Sequence, residues 1–166
     1  MRMETGKLTK LSLLTAVALI LYIVELRIPN LIPVSGVKAG LANIVTVYAI
    51  YRFKPVEAAM VLFSRIVLGS LFAGNVSALI YSISGAVQCF LVMLLIKKLV
   101  PEEKMWVASA FGGIFHNIGQ LAAAVFVMRT TTVLFYLPQM ILFGCLAGVF
   151  TGVCAQIVSG RIKEKI

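Results

Sequence analysis

The sequence predicts an all-α integral membrane protein: one bundle of six transmembrane helices with both termini on the cytoplasmic side. Three observations predict it. Of 166 residues, 61% are hydrophobic and only 13% charged, with a mean hydropathy of +1.03. A soluble domain needs about 25% charged residues to cover its surface. Apolar runs close to membrane length recur along the chain, separated by short breaks rich in Pro, Gly or charge. Lys and Arg, finally, are distributed unevenly over those breaks.

Taken in order, residues 1–10 form a short basic lead with Arg2, Lys7 and Lys10. The apolar run behind it resembles a signal peptide in layout. No Ala-x-Ala cleavage site follows and further spans do, so it reads as a retained helix, span 1 at 11–26. Pro29, Pro33 and Gly36 then break the helix in the longest non-helical connection. Span 2 is expected at 38–51, followed by the basic turn Arg52-Phe53-Lys54-Pro55. Span 3 covers 56–72 and stops near Gly74 and Asn75; span 4 covers 76–96. The segment KKLVPEEK at 97–104 is the most polar connection. Span 5 runs over 105–128, Arg129 and three threonines turn the chain, and span 6 runs over 133–158. Several spans are near the minimum of ~17–20 residues, which allows tilted or partial crossings. Nothing suggests an internal repeat or a second domain, so residues 1–166 read as a single transmembrane domain.

Six spans place both termini on one side. Eleven of the fifteen Lys and Arg residues then share that side: Arg2, Lys7, Lys10, Arg52, Lys54, Lys97, Lys98, Lys104, Arg161, Lys163 and Lys165. Arg27, Lys38 and Arg129 lie opposite, and Arg65 lies within span 3. The bias puts the termini in the cytoplasm and the Pro-rich connection outside. In a membrane chain a net charge of +9 points first to cytoplasmic loops, not to nucleic acid.

The stretch SAFGGIFHNIGQLAAA in span 5 is apolar enough for a bilayer, yet it carries His116, Asn117 and Gln120. At helical spacing Ala108, Gly112, His116, Gln120 and Ala124 stack on one face, with Gly113 and Asn117 beside them. Such a stripe should face other helices or a cavity, as a packing seam or as a ligand wall. Arg65 is the costliest residue. It lies about ten residues beyond Pro55, hence ~15 Å deep at 1.5 Å per residue, and His116 is at similar depth. A charge there should face the bundle interior and find a partner. One reading pairs it with Glu25 of span 1; the other has its guanidinium meet a ligand's carboxylate or phosphate. Asn43 and Thr46 of span 2 are polar as well. So are Ser77, Tyr81, Ser84 and Gln88, which share a face of span 4 with Gly85. Polar groups from four spans suggest a cavity with its mouth near the Pro-rich connection. The candidate ligand-binding set is therefore Arg65, His116, Asn117, Gln120, Asn43, Gln88, Glu25 and Lys38.

Gly144, Gly148 and Gly152 recur every four residues in span 6, continued by Gln156 and Gly160. That stripe admits a close backbone, either from within this chain or from a docking partner subunit. Cys89, Cys145 and Cys154 match no metal spacing and read as small buried residues. No catalytic residue, metal ligand set or cofactor is expected. There is no G-x-x-x-x-G-K-[ST] phosphate loop, no Gly-x-Ser-x-Gly, and no Asp from which to build an aspartate-rich magnesium site. Energy for any pumping would have to come from a partner or an ion gradient.

The runs SGVKAGLANIVTVYAIY (35–51), SRIVLGSLFAGN (64–75), YSISGA (81–86) and FHNIGQL (115–121) are similar to the signature of a membrane family. That family is described both as heptaprenyl diphosphate synthase component I and as Gx transporter. The resemblance covers about residues 8 to 160. The family itself resembles the substrate-binding S components of energy-coupling factor transporters. It thus implies a six-helix bundle with an outward ligand pocket gated by the first loop, a membrane coupling subunit and a pair of ATPases. S components often dock the coupling subunit through Ala-x-x-x-Ala in span 1. Here Ser12 and Ala16 stand at that spacing, followed by Ile20. Docking candidates are therefore Ser12, Ala16, Gly144, Gly148 and Gly152. The resulting expectation is a substrate-capture subunit for a small molecule, a vitamin or cofactor precursor, in the bilayer of the cell membrane. The alternatives are a non-catalytic membrane subunit of a polyprenyl diphosphate synthase and a stand-alone channel or carrier.

Overall fold

The computed structural model describes residues 5–27, 40–74 and 77–163, and everything regular among them is helical. The helices are α1 (Thr5–Arg27), α2 (Asn43–Arg52), α3 (Pro55–Ala73), α4 (Ser77–Lys97), α5 (Met105–Met128) and α6 (Leu137–Lys163). Short 3-10 turns at Glu102–Lys104 and Thr132–Tyr136 lead into α5 and α6. The Pro-rich connection, with Ser35 and Lys38, lies outside the described residues, as do Asn75 and the side chain of Ser77.

Five of the helical segments are long and apolar enough to cross a membrane; α2 is not among them. Its ten residues reach only ~15 Å, about half of a hydrocarbon core. The expected second span at 38–51 is thus corrected to a half-length helix starting at Asn43. Its apolarity has another source: Val47, Ala49 and Ile50 are buried among Leu62 and Ile66 of α3, Phe90 and Met93 of α4, Met105 of α5 and Ala155 of α6. Protein covers α2, where lipid was expected to.

The helix ends have local causes. Gly40 takes a φ of +74°, a left-handed conformation open to glycine, and the turn behind it closes with the Asn43 N–H donating to the Gly40 carbonyl at 2.8 Å. At the other end of α2, Lys97 donates to the Ile50 carbonyl at 2.5 Å and lies over the Tyr51 ring. Pro55 opens α3, and Glu57 accepts the Lys54 N–H at 3.0 Å while pairing with Lys7 of α1 at 2.6 Å. Glu102 links the same end of the bundle to Arg52 at 3.5 Å and to Ser159 at 2.5 Å. One end therefore gathers the start of α1, the α2–α3 turn, the α4–α5 connection and the end of α6. Arg27 and Arg129 lie at the other.

α5 is held between α4 and α6 by glycine. A Cβ on Gly144 would sit 2.6 Å from the Gly113 carbonyl, one on Gly119 would sit 2.7 Å from that of Ser84, and Gly148 and Gly152 press on the α5 backbone at Ser109 and Trp106. Ser109 and Thr151 share a buried hydrogen bond of 3.0 Å across that seam. Gly144, Gly148 and Gly152 are therefore consumed inside the chain: α5 occupies the face that a docking subunit would need. Ser12 and Ala16, in contrast, lie exposed on α1.

Candidate functional site

α2 starts about half-way through the bundle. Nine residues separate Asn43 from Arg52 at the charged end, and ten separate Arg65 from Pro55 at the same end. The α2 N-terminus and Arg65 thus share a depth, and the Arg65 Nη2 donates to the Asn43 side-chain oxygen at 3.2 Å. Arg65 is 9% exposed, and its Nε–H has no hydrogen-bond partner among the described residues. A helix beginning in mid-bundle adds its own positive end to the same point. An unpaired buried guanidinium N–H costs about 1–3 kcal/mol, more because it carries charge.

Glu25 is buried too, but forms no ion pair with Arg65. Its carboxylate accepts the Gly40 N–H at 2.5 Å, fixing α1 to the turn that opens α2. Of the two readings of Arg65, the one that pairs it directly with Glu25 is not the arrangement found. The carboxylate is near enough to act on Arg65 through its field, and Tyr22 and Cys89 stand close by. One of the carboxylate's two oxygens is committed to a backbone N–H, and the guanidinium fork stays incomplete among the described residues. Tyr22 and Cys89 were not among the sequence candidates. Tyr22 was accessible from spacing: it stands three residues before Glu25, and its ring packs at Gly69, four residues after Arg65. Cys89 announced itself only as an apolar residue.

His116 lies against Gly85 of α4, its ring engaging that backbone, and Arg65 is near enough to act on it. Gln120 packs its side chain at the same glycine. Asn117 points the other way and donates to the Met140 carbonyl of α6 at 2.7 Å, so it serves the α5–α6 seam. Gln88 is half-buried on α4, and no hydrogen bond joins it to this group among the described residues. Lys38 is outside them. The structure thus brings together Arg65, Asn43, Glu25 and His116, with Tyr22 and Cys89. Among the described residues no cluster of His, Cys or Glu could hold a metal ion.

Apolar helices closed around a buried cation define a multi-pass membrane protein with an internal polar site. A family model described as heptaprenyl diphosphate synthase component I matches residues 14–158, and the chain belongs to that family. Comparison with curated proteins and with solved structures gave no match.

Proposed function

We propose that this chain is a substrate-capture subunit: it holds a small molecule with an anionic or electron-rich group against Arg65, within the membrane, for uptake energised by partner ATPases through a coupling subunit. The observation that carries the reading is the buried Arg65 Nε–H, without a partner among the described residues, beside the N-terminus of a half-length helix. A ligand carboxylate or phosphate would complete the fork. The chain contributes binding and no chemistry of its own, since its sequence has neither a phosphate loop nor any Asp. We place the charged end of the bundle in the cytoplasm, following the distribution of Lys and Arg, and the ligand on the vitamin or cofactor-precursor scale. The exposed Ser12 and Ala16 face of α1 is the docking surface for the coupling subunit.

The family description favours a second reading, a non-catalytic membrane subunit of a polyprenyl diphosphate synthase. Arg65 would then meet a diphosphate, and catalysis would belong to a soluble partner. Affinity purification from native membranes separates the two. The uptake reading expects an integral coupling protein and ATPases to co-purify. A soluble prenyl synthase in their place would overturn it, and capture of neither would favour a stand-alone carrier.

A further inference from the structure

At the charged end of the bundle, α1, the last residue of α2 and the α2–α3 turn enclose an open hollow of about 660 Å³. Lys7, Lys10, Arg52 and Lys54 line it, with Phe53 and Glu57. Four cations from three segments converge there, and like charges brought together repel unless something offsets them. Glu57 does so only in part. One of its oxygens is held by Lys7 at 2.6 Å and the other by the Lys54 N–H at 3.0 Å, so a single carboxylate faces four cations. Arg52 has Glu102 at 3.5 Å. Lys10 and Lys54 have no ion pair among the described residues, and the positive end of α3 opens at the same place.

We propose that this hollow binds a phosphate group, and that its source is the headgroup of an anionic membrane lipid. The chemistry follows from the surplus of ammonium and guanidinium donors around a space large enough for a phosphodiester. The choice of a lipid over free phosphate follows from the rim. Val56 and Met60 stack one turn apart on α3 just beyond Lys54, and both are exposed apolar residues that offer a track for an acyl chain. The site is separate from Arg65, and its occupancy does not depend on what Arg65 binds.

Native mass spectrometry of the full chain tests this, after exposure to equal amounts of phosphatidylglycerol and phosphatidylcholine. The parent should retain phosphatidylglycerol preferentially. The double variant Lys10→Gln/Lys54→Gln should lose that preference by about tenfold to thirtyfold, since each surface cation near an anionic lipid contributes on the order of a fewfold in binding. Both side chains are exposed and neither belongs to the Lys7–Glu57 tie, so the variant should melt like the parent. Lys10→Arg/Lys54→Arg should keep the preference, as should Arg129→Gln at the opposite end. Equal retention of the two lipids by the parent, or an undiminished preference in the double glutamine variant, would overturn the proposal. Displacement of the lipid by inorganic phosphate would assign the hollow to a free anion and overturn the lipid assignment.

Discussion

Replacing Glu25 by Gln and by Ala separates two ways of holding α1 to the core. The Glu25 carboxylate accepts the Gly40 N–H at 2.5 Å and makes no direct pair with Arg65. Gln keeps an acceptor oxygen at that place and loses the charge. A hydrogen bond to a charged group contributes about 1.5–3 kcal/mol and a neutral one about 0.5–1.5, so Glu25→Gln should cost about 1 kcal/mol. Part of that loss is the weaker field at Arg65. Ala removes the acceptor and leaves a part-buried N–H unsatisfied, which should cost about 2–3 kcal/mol. A direct Arg65–Glu25 strut forecasts otherwise: both substitutions would strand the guanidinium, at about 3–5 kcal/mol each. Reversible unfolding in mixed detergent and SDS micelles, followed by circular dichroism, measures the difference. Equal losses of 3 kcal/mol or more on the scale of a stranded charge would refute the reasoning.

Gly148→Ala would drive a methyl group into the α5 backbone at Ser109 and should destabilise the bundle by about 1–3 kcal/mol in the same unfolding assay, whereas Gly160→Ala, with open space around it, should be near neutral. Asn117→Leu removes the bond to the Met140 carbonyl and should cost about 1 kcal/mol of stability, with no change in ligand binding; a variant of parental stability that loses ligand would instead place Asn117 in the site.

Several features were legible in the residues alone. An Arg in an apolar helix has to face inward, and Arg65 does. Asn43 and Arg65 both stood in the candidate ligand-binding set, and they bond. The length of the second helix was not legible. Apolar residues report removal from water, not what removes them, so Val47 and Ile50 read the same against lipid as against α3 and α4. The glycine stripe signalled a close backbone without naming it; α5 carries its own glycine at Gly113, and only the fold shows that the two stripes meet. Glu25 was drawn to Arg65 by opposite charge. The backbone N–H that claims its carboxylate belongs to a turn whose geometry rests on one residue with positive φ, Gly40.

On the proposed reading, Arg65 waits for an anionic group from a ligand. The most direct test is mass spectrometry of small molecules released from the purified chain, with Arg65→Lys and Arg65→Met compared at matched folding by circular dichroism. The parent should carry an anionic or electron-rich molecule. Arg65→Lys, which keeps the charge but not the planar fork, should hold it more weakly. Arg65→Met should lose it by about tenfold to a hundredfold, the worth of one charge-assisted contact. Recovery of the same molecule in the same ratio from folded Arg65→Met protein would contradict that reading and leave Arg65 a structural residue.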